Sequence, residues 1–97
     1  MKLSRESPKE ALEVIASLVQ RAGDYELVED IGAGPLENLI REHGLLLIDD
    51  IEARAQADHR FRLAVSHVWI EEADSVIGLR YLALGCKPPG VPGDTDA

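Results

Sequence analysis

The stretch Ile31-Gly-Ala-Gly-Pro-Leu-Glu-Asn-Leu-Ile-Arg-Glu-His-Gly44 combines the tightest turn signal in the chain with one short amphipathic helix and a stop signal. Gly32 falls where the residue closing a preceding helix would adopt a left-handed backbone. Pro35 fixes φ and lacks an N–H, which suits a first helical turn, and Gly34 then stands at the N-cap. Glu37, inside that first turn, complements the positive end of the helix dipole. Leu36, Leu39, Ile40 and His43 recur at i, i+3, i+4 and i+7, the stripe of one helical face. Gly44 then ends the helix. A Gly-x-Gly pair also suggests a phosphate cradle, but the dinucleotide fingerprint needs a third glycine and a preceding strand, and here both are missing.

Outward from this corner the pattern stays helical. Ser7-Pro-Lys-Glu10 is a helix start with a capping box. Ala11, Leu12, Ile15, Leu18, Val19 and Ala22 follow on one face, and Gly23 closes the segment. Asp24 caps a second helix carrying Leu27, Val28 and Ile31. The third helix is Pro35–His43. Leu47, Ile48, Ile51 and Ala55 make the stripe of a fourth over Leu45–Gln56. Asp58 caps a fifth with Phe61, Ala64, Val65, Val68 and Trp69, in which Phe61 and Trp69 are expected core anchors. Glu71–Leu84 is a sixth candidate with Val76, Ile77, Arg80, Tyr81 and Leu84 as its stripe, ended by Gly85. No segment shows period-two alternation of any length.

The expected fold is all-α, a compact bundle of about five to six short helices packed as αα-hairpins. A HEAT-type solenoid fragment is the alternative, although no internal repeat supports it. Residues 1–6 form an N-terminal arm, 7–85 the helical domain and 86–97 a disordered, flexible tail rich in Pro, Gly and Asp.

The motif Ile31-Gly-Ala-Gly-Pro-Leu-Glu37, with His43-Gly44, Ile51-Glu52, Ala55, Phe61-Arg62 and Val68-Trp69, resembles a family of small bacterial domains of unknown function. The resemblance spans roughly Ala11 to Trp69. It implies an all-helical fold and brings no activity.

The 97 residues suffice for one domain. Hydrophobic content of 45%, charged content of 29% and a mean hydropathy of -0.09 are ordinary for a globular protein. The net charge of -8 argues against nucleic acid and anionic membranes, and would attract a basic protein partner. A single cysteine, Cys86, allows neither an internal disulfide nor a cysteine zinc site. Met1–Lys9 does not resemble a signal peptide, and no apolar run is long enough to cross a membrane. The expected location is the bacterial cytoplasm.

The residues capable of chemistry are scattered. His67 and Glu71 are four apart, yet no metal-ligand motif accompanies them. Asp49 with Asp50, and Glu71 with Glu72, are helix neighbours that do not face each other. Ser17, Ser66, Ser75 and Cys86 lack a nearby base. Arg54, Arg60 and Arg62 are the one basic cluster, and carboxylates surround it. The expected function is a small acidic protein–protein interaction module without catalytic activity, cofactor or metal. Its candidate binding residues are Gly34, Glu37 and His43, with Glu37 carrying little structural work beyond the dipole. Two alternatives stand beside it. One is an immunity-type protein neutralising a toxin; the other is an uncharacterised enzyme, which would need a cavity lined by Glu37, His43 and Trp69. An exposed apolar patch on the sixth helix would mark a homodimer contact.

Overall fold

In a computed structural model, residues 7–71 and 75–88 are described. The expected arm over 1–6 and residues 89–97 of the expected tail lie outside them. Helix α1 (Pro8–Arg21) starts as its sequence dictates: the Ser7 hydroxyl accepts the Glu10 N–H, and Pro8 takes a first-turn place where no N–H is needed. Its last carbonyls have no partner within the helix. The Arg60 guanidinium supplies one, donating to Val19 O at 3.2 Å and Ala22 O at 2.6 Å.

Helix α2 (Tyr25–Ile31) is capped by Asp24, whose side chain accepts the Leu27 N–H. The expected break after it does not occur. Gly32 is right-handed, at φ -64 and ψ -44. A five-residue π-helical turn, Gly32–Leu36, leads straight into helix α3 (Glu37–Ala57). Pro35 is the physical reason. It cannot donate an N–H to the carbonyl four residues back, and its ring crowds that carbonyl. A wider turn, in which the Glu37 N–H reaches Gly32 O, carries the helix past the proline.

Gly44 does not stop the helix either. The backbone bends at His43, φ -138 and ψ 24, and then continues. The Tyr81 ring lies against Gly44, where an added Cβ would sit 3.3 Å from it, and the Tyr81 phenol donates to the Gly44 carbonyl at 2.7 Å. Gly44 is therefore a packing glycine. With both breaks removed, the described residues form four continuous helical runs, 8–21, 25–57, 59–65 and 76–83, rather than five to six separate helices.

Helix α4 (His59–Val65) is capped by Asp58, which accepts the Arg60 N–H at 3.0 Å. It ends four residues short of the expected Trp69. Beyond a turn at Ser66 and His67 the chain extends. The Lys87 N–H donates to Val68 O at 2.7 Å and the Ile70 N–H to Lys87 O at 3.0 Å, a single parallel bridge. Val68 and Ile70 are buried while Trp69, between them, is only half-buried. Phe61 is a core anchor as expected; Trp69 is not, because extended backbone alternates its side chains.

Helix α5 (Val76–Ala83) begins at a Ser75 cap, five residues later than expected. It ends at Gly85, φ 108, where the Gly85 N–H reaches Leu82 O and the Cys86 N–H reaches Tyr81 O. Only glycine adopts that left-handed closing position at little cost. Cys86 and Lys87 follow as packed residues, not as tail: Cys86 is buried and Lys87 is held by the bridge.

The core collects Leu12, Ile15 and Val19 from α1, Val28 and Ile31 from α2, and Leu36, Leu39, Leu47, Ile48 and Ile51 from the π turn and α3. Phe61, Ala64, Val65, Val68, Ile70, Tyr81, Leu84 and Cys86 join it from the rest of the chain. Among the described residues, no polar or charged side chain is buried. The bundle is all-α, as the periodicity predicts. Other expected stripe positions lie outside: Leu18, Leu27 and Val76 are exposed.

The tightest contact joins Gly32 to α4. An added Cβ on Gly32 would overlap the Ala64 carbonyl, a backbone group that cannot swing aside. At Gly34, two residues on, an added Cβ meets nothing within 4 Å. Gly32→Ala is expected to destabilise by about 3 kcal/mol or more, the upper range for overpacking. Gly34→Ala is expected to stabilise by about 0.5 kcal/mol through the unfolded state. Urea unfolding of the two variants beside the parent checks the contrast.

Candidate functional site

Glu37, Gly34 and His43 were the candidate binding residues, and the fold does not gather them into one pocket. Gly34 is half-buried on the π turn. Glu37 is largely covered: one carboxylate oxygen accepts the Trp69 N–H at 2.9 Å, and the other lies 3.3 Å from the Arg41 guanidinium one turn on. Arg41 also reaches Glu71 at 3.7 Å. Glu37 thus fastens α3 to the extended Val68–Ile70 segment, which corrects the expectation that it had little structural work. His43 sits at the bend of α3, with its ring 3.8 Å from the Glu42 carboxylate.

The nucleophile candidates are separated and occupied. The Ser66 hydroxyl donates to Leu63 O at 2.6 Å, and Ser75 caps α5. Ser17 is exposed on α1. Cys86 is buried, and desolvation, with a smaller contribution from the Glu37 charge, pushes its thiol up to about 12. A thiol held protonated is a poor nucleophile. His67 does not share a helical face with Glu71, because α4 ends before it; its ring lies 3.7 Å from Glu29 instead. Among the described residues, no group of three His, Cys, Asp or Glu is placed to hold a metal ion.

The basic cluster is largely engaged within the fold. Arg54 is bonded to Glu13. Arg60 holds the α1 carbonyls and lies 5.7 Å from the Tyr25 ring centroid. Only Arg62 of the three is exposed on α4.

Two surfaces stand out in geometry. The first is a groove of about 490 Å³ between α3 and α5, with Ile40, Gly44, Leu45, Ile77, Gly78 and Tyr81 in its walls and Arg41, Glu42 and Glu71 also lining it. The second runs along α2 and the π turn. Between Arg21 and Arg41 the chain carries Asp24, Glu26, Glu29, Asp30 and Glu37, and no cation. Glu26 and Asp30 are exposed one turn apart. Beside them Tyr25 is 55% and Leu27 48% exposed. Leu27 was expected in the core, so sequence reasoning missed this combination. The uninterrupted run of carboxylates was the available signal.

No helix among the described residues is long and apolar enough to cross a membrane. A family model, described as a family of unknown function (DUF6869), matches residues 1–84. No curated protein and no solved structure matches the chain.

Cys86 supplies a pH test. Its thiolate is disfavoured in the folded state, so the folded pKa lies above the unfolded value near 9. The resulting stability is complete below pH ~9 and is lost as pH rises toward 12. A chromogenic disulfide reagent at pH 8 is expected to leave the native protein unmodified and to react promptly in denaturant. Cys86→Ala is expected to flatten the loss of stability between pH 9 and 11, read by urea midpoints.

Proposed function

The chain belongs to this family of unknown function, and from that premise we propose that it is a small acidic cytoplasmic module that binds another protein and catalyses no reaction. The partner surface is the α2 face with the adjoining π turn. The observation that carries the reading is a ridge of exposed Glu26 and Asp30, one turn apart, flanked on opposite sides by exposed Tyr25 and Leu27, in a stretch of sequence free of cations. An exposed aromatic and a leucine give anchors that lose water on contact. The carboxylates around them speed encounter with a basic surface and select against an acidic one. Arg60, placed over Tyr25, holds the ring before any partner arrives, which lowers the ordering cost of binding.

Glu37 is not the contact on this surface. Its carboxylate is already shared between Trp69 and Arg41. The contact carboxylates are Glu26 and Asp30, which have no ion-pair partner among the described residues.

The double variant Glu26→Lys/Asp30→Lys tests the assignment. Affinity capture from the native host should retain a basic protein on the parent and lose it on the variant. Raising salt from 50 to about 300 mM should weaken the parent complex, as expected for charge pairing. Tyr25→Ala should shorten the lifetime of the complex, with a smaller effect on its formation. Equal capture by parent and double variant at every salt concentration would sink the assignment.

A further inference from the structure

We infer that the outer face of α5 pairs with the same face of a second copy of this chain. The sequence places Val76, Leu79 and Ala83 at i, i+3 and i+7, one stripe of a helix. The fold turns that stripe away from the protein. Gly78 and Tyr81 face inward, and α5 packs chiefly on α3. Val76 is left 75% exposed and Leu79 56%, with Ala83 exposed beyond them. Leu45, 74% exposed, stands on the α3 side of the groove whose other wall is Ile77 and Gly78.

Charge decides between occupants. The chain carries -8, so most of its surface repels a second copy and attracts a base. The α5 face is different. From Ser75 to Pro88 there is no carboxylate at all. Its one helical cation, Arg80, is already held by its own protomer: the guanidinium donates to Glu52 at 2.6 and 3.0 Å and to Asp49 at 2.7 Å. A basic partner finds no carboxylate on this helix, whereas two copies meet there on apolar side chains.

Shape agrees with charge. In a two-fold arrangement with the α5 helices antiparallel, Leu79 lies near the axis. Val76 then meets the partner's Ala83 at each end, a large side chain against a small one. Such large-to-small alternation lets helices approach closely. An eight-residue helix is only about 12 Å long, so the contact is at the small end of specific interfaces and the association is reversible. The dimer leaves both α2 faces free.

Sedimentation equilibrium of the full chain between about 10 μM and 1 mM tests this, a range suited to a small interface. The mass is expected to rise from 10.6 kDa toward twice that value with concentration. Added salt should strengthen association, because it screens two bodies of like charge. That is the opposite sign to the salt response of basic-partner capture, so the two proposals fail separately. Leu79→Glu should weaken the dimer more than about tenfold, since it would bury an unpaired carboxylate. Circular dichroism should show that variant folded, because Leu79 is exposed. Leu79→Cys should form an interchain disulfide on mild oxidation, with buried Cys86 taking no part. Glu26→Lys/Asp30→Lys should associate at least as well as the parent. A mass fixed at 10.6 kDa across the range, or association that survives Leu79→Glu, would overturn the proposal.

Discussion

The close approach of Gly32 to the Ala64 carbonyl is the constraint on which the bundle depends. It brings two backbones together with no side chain between them. Ile31 and Leu36, on either side of it, can then reach the same core as Phe61 and Val65. Pro35 makes the approach possible indirectly. Its missing N–H widens one helical turn, and the widened turn shifts the phase of every later side chain on α3. Leu39 and Ile40 point inward in that shifted phase, and the bend at His43 sets a second phase in which Leu47, Ile48 and Ile51 do the same.

The sequence showed local features better than distant contacts. The stripe of Leu47, Ile48, Ile51 and Ala55 is fully internal, and Ser7, Asp24 and Asp58 cap where their side chains suggest. Such features are local, so local rules find them. Gly32, Gly44 and Trp69 were misread for the opposite reason. Gly32 answers to Ala64, Gly44 to Tyr81, and Trp69 to a strand-like pairing with Lys87, each partner distant in the chain. A glycine required for contact and a glycine required for a turn look identical in sequence. Gly85, with a positive φ, was legible because it stands after a helix and before two prolines.

The candidate site was less legible still. Glu37 was noticed for its place at a helix start, yet its principal bond crosses to Trp69. Cationic side chains show the same pattern. Arg54, Arg60 and Arg80 each reach a distant element, and together they tie α1, α3, α4 and α5 into one electrostatic frame. The carboxylates on α2 have few such obligations. An excess of acid over base therefore becomes local: the fold consumes its cations where elements meet and leaves negative charge concentrated on one flank.

The bridge between Trp69 and Lys87 has a consequence for motion. It closes residues 70–86 into a loop whose two ends are stitched by backbone bonds on either side of the bridge. The loop carries α5, and its Ile70, Tyr81, Leu84 and Cys86 are all buried in the common core. Opening the loop would uncover those four side chains, so its release would cost a large part of the core. Tyr81, which presses on the bend in α3, keeps its seat while the clasp is closed. The curvature of the longest helix is thereby coupled to the closure of the C-terminal clasp.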